Sequence, residues 1–274
     1  MNFIHGLQTI SLKNKSLVCV GLDSDMKRIP DCILSDAHPQ FAFNKAIIDA
    51  THDLVCAYKL NSAFYEAQGA KGIQELKMTC DYLREKYPNI PIILDAKRGD
   101  IGSTNHGYEV FAFDYLGVDA ITLHPYLGRE ALQPFLDRKD KGCIILCKTS
   151  NSGSGEFQDL TVDDKPMYQI VAERVFKDWN TNANCMLVVG ATYPEELMAV
   201  RQIVGDMTLL IPGVGTQGAD IEKTVRAGVN SKGAGMIINS SRHIIFAGHN
   251  GDFAQKAREE AERVRNAINT YRTV

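Results

Sequence analysis

Apolar residues gather into eight short runs along the chain. They are SLVCVGLD (16–23), AYKLN (57–61), PIILDAK (91–97), DAITLH (119–124), CIILCK (143–148), CMLVVGA (185–191), TLLIPGV (208–214) and AGMIINSS (234–241). Most are apolar throughout rather than alternating, the habit of parallel strands covered on both faces. None is followed by a two-residue hairpin turn. Between the runs the apolar spacing becomes helical. Phe43, Ile47, Ala50 and Leu54 repeat on one face before the second run, and Ile73, Leu76, Cys80 and Leu83 before the third. Leu197, Val200 and Val204 share a face after the sixth. The C-terminal DFAQKAREEAERVRNAINTYR predicts a long helix with a solvated face of i,i+4 charge pairs.

Strand–helix alternation eight times over predicts an α/β chain folded as a (β/α)8 TIM barrel, with a doubly wound sheet as the alternative. A chain of 274 residues matches the usual size of such a barrel. No Pro/Gly/Ser-rich linker divides it, so residues 1–274 read as one barrel domain with an N-terminal helical segment and a C-terminal helix. The one irregular region, SNSGSGEFQDLTVDDKP (150–166), reads as a mobile loop after the fifth strand, over the carboxyl-terminal face of the barrel.

Composition narrows the function classes. A net charge of −3 with scattered Lys and Arg carries no nucleic-acid footprint. The N-terminus has no basic region followed by a long apolar core, and no run approaches the roughly 18–20 apolar residues of a membrane span. Seven cysteines without a CxxC pair or a Cys/His cluster read as reduced, buried thiols. The expectation is a cytoplasmic protein that touches neither membrane nor nucleic acid.

Polar residues then fall at the strand ends. Asp23 closes the first run, Lys59 sits in the second, and Asp95 and Lys97 end the third, with Asp100 and Thr104 in the loop that follows. His124, Thr149, Ser150, Ser240, Ser241 and Arg242 end or follow later strands. Catalytic groups of barrels occupy this end of the strands, and five charged residues on the first three are more than stray loop residues. GVGTQG (213–218) has the form GxGxxG, but it follows the seventh run and lacks the acid about twenty residues on that a dinucleotide fold needs. It reads better as a glycine turn opening backbone N–H groups to an anion, joined by Gln217 and by NSSR with Arg242. The substrate is therefore expected to carry a phosphate. Arg98, Gly99 and Asp100 also spell RGD, which without an export signal gives no adhesion function.

The pattern D-x-K-x-x-D-I-x-x-T, here Asp95, Lys97, Asp100, Ile101 and Thr104, resembles the signature of the orotidine 5′-phosphate decarboxylase family. GLD, the K-x-N of Lys59 and Asn61, PGVGTQG and NSSR extend the likeness along nearly the whole chain, and KRGDIG resembles one bacterial branch. The resemblance implies decarboxylation of a nucleotide to UMP without cofactor or metal, in a homodimer whose active sites are shared across the interface. Removing CO2 from C6 of orotate leaves a carbanion with no adjacent electron sink, so a fixed positive group must stabilise it. Lys97 is implied as that group and as the acid that protonates C6. Lys59, Asp95, Lys97 and Asp100 are implied to form an alternating charge network, with Asp100 given by the second subunit. Asp23 and Lys59 are implied to bind ribose hydroxyls, Thr104 to reach the ribose from the partner, Ser150 to meet the pyrimidine amide edge, and Gln217 and Arg242 to hold the phosphate. Two departures from the family pattern stand out. The segment between Gly215 and Asp220 is too short for a large lid, which leaves closure to 150–166, and His243 stands where a small residue is expected.

Two enzyme classes compete. A metal-dependent sugar-phosphate lyase or epimerase of a related barrel family shares the Asp95/Lys97/Asp100 core, but typically has an acid where this chain has Lys59. A Schiff-base aldolase needs a neutral lysine, and carboxylates beside Lys97 favour its charged form.

Overall fold

The computed structural model describes residues 2–214 and 220–272. Eight parallel strands close into a barrel: β1 (Val18–Gly21), β2 (Ala57–Asn61), β3 (Ile92–Arg98), β4 (Ala120–Leu123), β5 (Gly142–Lys148), β6 (Cys185–Val189), β7 (Leu209–Pro212) and β8 (Met236–Ser240). Each strand pairs with its sequence neighbours, and β1 closes the ring by pairing Val18 with Ile238 and Val20 with Ser240 of β8. All eight lie within the apolar runs, apart from Arg98 at the end of β3 and Gly142 at the start of β5. β1, β4, β6 and β8 are buried at every position because helices cover the side of each strand that faces away from the barrel interior.

The predicted helices form where the spacing placed them. Phe43 and Ile47 are buried on helix Pro39–Thr51, while Leu54 lies just beyond its end and is buried in the turn into β2. Leu76, Cys80 and Leu83 line the inner face of Gly69–Lys86, and Leu197, Val200 and Val204 that of Pro194–Val204. The C-terminal helix Phe253–Tyr271 packs on Pro39–Thr51. Phe253 and Phe246 each stack on Phe43, with centroids 5.2 and 5.4 Å apart, and Arg258 reaches Asp53 and the Ala50 carbonyl.

The N-terminal helix Phe3–Lys13 buries Phe3, Leu7 and Ile10 at the amino end of the strands, where the Phe3 N–H donates to the Asp140 carbonyl at 3.0 Å. A side chain at Gly142 would meet Phe3, Ala120 and Met186 there, so the helix seals that end against the barrel interior. Polar groups of the interior are thereby left to the carboxyl ends.

Residues 150–166 are more ordered than their Gly and Ser content predicts. A 3-10 turn (Ser152–Ser154), a short helix (Gly155–Gln158) and a small antiparallel ladder pairing Thr161–Val162 with Lys165–Pro166 occupy the region. Asp163 and Asp164, at φ 50° and 60°, make the tight turn of that ladder, a left-handed pair that aspartate tolerates better than most residues. Among the described residues this ladder forms one hairpin, outside the barrel. Of the seven cysteines, all free, Cys32 alone is exposed. Among the described residues no helix is long and apolar enough to cross a membrane.

Candidate active site

The site is built from β3 outward. Strand alternation puts Ile93 and Asp95 on the interior side, and Lys59 of β2 lies beside Ile93 with Asn61 beside Asp95. Asp95 is the hub. Its Oδ2 accepts from Lys59 Nζ at 3.0 Å, and its Oδ1 accepts from Lys97 Nζ at 2.7 Å and from Thr122 Oγ1 at 2.8 Å. Asp23, from the end of β1, lies on the other side of Lys59, with its Oδ1 3.7 Å from Nζ. That Oδ1 is buried and has no hydrogen-bond partner among the described residues.

Burial by itself would push Asp95 up, but Lys59 and Lys97 prevail and hold it well below the usual carboxylate range. Burial likewise opposes a charge on Lys59, yet Asp23 and Asp95 together raise it above an ordinary lysine. Both groups therefore stay charged at neutral pH. The Lys59 ammonium fills the space between the Asp23 and Asp95 carboxylates.

Lys97 is held differently. Its backbone is left-handed, φ 48°, at a point where the β3–β4 register shifts between Leu94 and Arg98. Such a conformation costs a non-glycine residue about 1–3 kcal/mol and persists only where the surroundings impose it. Here the Lys97 N–H donates to Thr122 Oγ1 at 3.0 Å. Thr122 thus binds the main chain of one catalytic candidate and the carboxylate of another. With half of its side chain exposed, Lys97 is the cation of this cluster that faces open space, whereas Lys59 is 4% exposed.

Asp100 does not join the cluster within one chain. Its carboxylate accepts from the Ile101 N–H at 2.7 Å, and it forms no ion pair among the described residues. Its backbone is clamped by buried Asn105, which accepts from the Asp100 N–H at 2.9 Å and donates to the Asp100 and Ala131 carbonyls. Asp100 and Thr104 are both exposed, flanking Ile101, itself 62% exposed. Arg98 folds back to Glu66 at 2.6 Å and stacks over Tyr108, so the RGD tripeptide presents no extended loop. Gly99 packs on His124: a side chain there would lie 2.7 Å from the imidazole.

Across the mouth, β8 gives way to the short helix Arg242–Ile245, which places Arg242 on the exposed rim. Ser240, the last residue of β8, is buried with its Oγ unpartnered among the described residues, and Asn239 Nδ2 donates to Ser241 Oγ at 3.2 Å. Ser241 Oγ occupies the room that a side chain on Gly21 would take, 1.9 Å from that position. His243 turns away to Glu260 Oε1 at 2.7 Å and to Arg263, on the C-terminal helix. Gln217 and most of the glycine turn lie outside the described residues. Ser150 lies just past β5, packed on Gly190, where an added Cβ would sit 2.9 Å from that of Ser150.

The structure brings Lys59, Asp95, Lys97 and Asp23 together and leaves Asp100 and Thr104 facing out. Sequence reasoning missed Thr122, whose signal was a lone hydroxyl in the apolar run DAITLH, and Lys148, a lysine ending CIILCK as Lys97 ends PIILDAK. Among the described residues no three His, Cys, Asp or Glu side chains converge as metal ligands would.

A closed parallel barrel, sealed at one end and carrying lysines bridged by a carboxylate at the other, defines a (β/α)8-barrel enzyme. The family model described as orotidine 5′-phosphate decarboxylase / HUMPS matches residues 16–257. An orotidine 5′-phosphate decarboxylase from Cellvibrio japonicus is 50% identical over 274 residues, covering 99% of this chain and 100% of the relative. A solved OMP decarboxylase structure from Leishmania donovani has a TM-score of 0.84 at 39% identity, covering 98% of this chain and 100% of that one. A UMP synthase structure from the same organism reaches 0.86 at 40% identity, with 98% of this chain matched to 57% of the longer one. The chain belongs to the orotidine 5′-phosphate decarboxylase / HUMPS family.

Proposed function

We propose that this chain, acting as one barrel domain in the cytoplasm, converts orotidine 5′-phosphate to UMP and CO2, the last step of de novo pyrimidine nucleotide synthesis. The observation that carries the reading is the Lys59–Asp95–Lys97 chain, which fixes one solvent-facing ammonium at the barrel mouth. Cleavage of the C6–CO2 bond leaves an electron pair on C6. Lys97 stabilises that charge as it develops and then gives C6 a proton, so neither metal nor organic cofactor is required. Asp95 orients the ammonium, and Lys59 keeps Asp95 ionised without competing for C6, because it is buried between two carboxylates.

The remaining groups bind. Asp23, with its unpartnered Oδ1, and Lys59 take ribose hydroxyls; Ser150 meets the pyrimidine amide edge; Gln217 and Arg242 hold the phosphate. Binding energy from the phosphate, remote from the bond that breaks, can then be used in the transition state.

The working form is a homodimer in which Asp100 and Thr104 complete the partner's site. Support comes from their exposure around Ile101, and from Tyr126 and Leu127, 82% and 46% exposed, on the loop after the neighbouring strand β4. An Asp100 from the partner would place a second carboxylate near Lys97.

Loss of orotidine 5′-phosphate ultraviolet absorbance on adding purified protein tests the reading, and a flat trace from the dimer would sink it. EDTA should leave the rate unchanged; inhibition by chelation would instead favour a metal-dependent lyase or epimerase.

A further inference from the structure

We infer that Lys148 is a positioning residue: it anchors the loop after β5 through Asp159 and so fixes Ser150 at the barrel mouth. The inference rests on the proposed role of Ser150 toward the pyrimidine.

Lys148, the last residue of β5, is 2% exposed although it carries a charge. Its ammonium pairs with Asp159 and lies 3.6 Å from Glu196 Oε1, beneath the rings of Tyr168 and Tyr193 at 5.7 and 5.9 Å. Asp159 belongs to the loop; Glu196 belongs to the first turn of helix Pro194–Val204. One buried cation therefore ties strand, loop and helix. Taking an ammonium out of water is costly unless its partners are in place, so the loop must stay seated for Lys148 to stay satisfied.

A second rung lies beside the first. The Thr149 N–H donates to Gln158 Oε1 at 2.8 Å, and Gln158 Nε2 donates back to Thr149 Oγ1 at 2.9 Å. Positions 148 and 149 are thus tied to 159 and 158, and the segment between closes into a compact loop. Ser150 is its first residue. The Gly190 N–H donates to the Lys148 carbonyl at 2.8 Å, and Gly190 offers no side chain to push Ser150 away. Ser150 is thereby held between the end of β6 and the two rungs. Among the described residues the partners of Lys148 and Thr149 include no Arg242, so the effect should be confined to the base end of the substrate.

The experiment uses Asp159→Asn in the full-length protein. Asp159 is half-exposed, and Glu196 remains beside Lys148, so the variant leaves no orphaned buried cation. UMP affinity should fall about tenfold, the loss of one well-placed hydrogen bond. Affinity for ribose 5-phosphate, which lacks the base, should stay within about twofold of wild type. Asp159→Glu should recover most of the UMP affinity. Unchanged UMP affinity in Asp159→Asn overturns the inference, and so does an equal loss for both ligands, which marks a general disturbance. Cleavage by chymotrypsin at Phe157, 66% exposed, reads the tether without reference to function. Faster cleavage in Asp159→Asn is expected; an unchanged rate overturns the tether. If wild-type protein binds no UMP, the proposed function fails, and Phe157 cleavage still decides whether the anchor exists.

Discussion

Two lysines, in β2 and at the end of β5, are both nearly buried, and they do different work. Lys59 shares Asp95 with a second lysine, Lys97, so a single hub carboxylate serves two cations and one of them faces open space. Lys148 is one cation between two carboxylates under two tyrosine rings, with no ammonium left facing solvent. The first arrangement presents charge to a ligand; the second spends its charge internally, on holding a loop. Burial of a lysine therefore says little about its role until the partners are counted, because it is the uncommitted N–H groups that can meet a developing anion.

The largest expected difference lies in chemistry. Lys97→Ala should lower kcat at least about 10³-fold, since charge stabilisation and proton donation go together. Its urea midpoint should barely move, because Lys97 is half-exposed. Retention of more than a tenth of wild-type kcat would remove Lys97 from its role. The next effect tests the shared site. Lys97→Ala and Asp100→Ala, each inactive, should recover about a quarter of wild-type activity when mixed and re-associated, because half of the dimers are hybrids with one intact site. No recovery despite proven subunit exchange would confine each site to one chain.

Stability separates the two lysine clusters next. Lys59→Met leaves Asp23 and Asp95 facing each other in the barrel and should cost about 3–5 kcal/mol in urea unfolding. Lys148→Met should cost less, as Asp159 is half-exposed and can return to water. Equal losses would erase the distinction between hub and anchor. The smallest effects concern pH, and they have opposite signs. Asp95 is held below its ordinary range, so its contribution to stability is present above about pH 4 and is lost as pH falls through its lower folded value. Asp95→Asn should flatten that acid limb. Burial raises Glu196 more than Lys148 lowers it, so its contribution is present below the ordinary glutamate range and is lost as pH rises through the folded value. Glu196→Gln should therefore remove that decline with rising pH, readable as a flatter dependence of the thermal midpoint on pH above the ordinary glutamate range.

Much of this was legible in the residues. Eight apolar runs sufficed for the barrel, because a strand buried on both faces has no choice but to be apolar throughout. The site showed wherever a charge broke such a run: Asp23, Lys59, Asp95 and Lys97 all do so, and the structure draws these four together. Lys148 breaks a run in the same way, yet its loop and helix partners lie eleven and forty-eight positions away, at Asp159 and Glu196, where no local pattern links them. The loop 150–166 reads as mobile because Gly and Ser favour flexibility, but the two rungs at its base and the turn at Asp163 and Asp164 order it.

What the sequence determined by itself was the kind of fold, its polar end and the identity of the charged hub, since those depend on periodicity and on residues too costly to bury without purpose. Tertiary structure decided the rest. It set the left-handed backbone of Lys97 by seating its N–H on Thr122, and it turned His243 away from the mouth toward Glu260. It left Asp100 outside the cluster of its own chain, with its carboxylate accepting from the Ile101 N–H. Each of these outcomes turns on which distant group lies within about 3 Å, and closing the barrel is what brings such groups within reach.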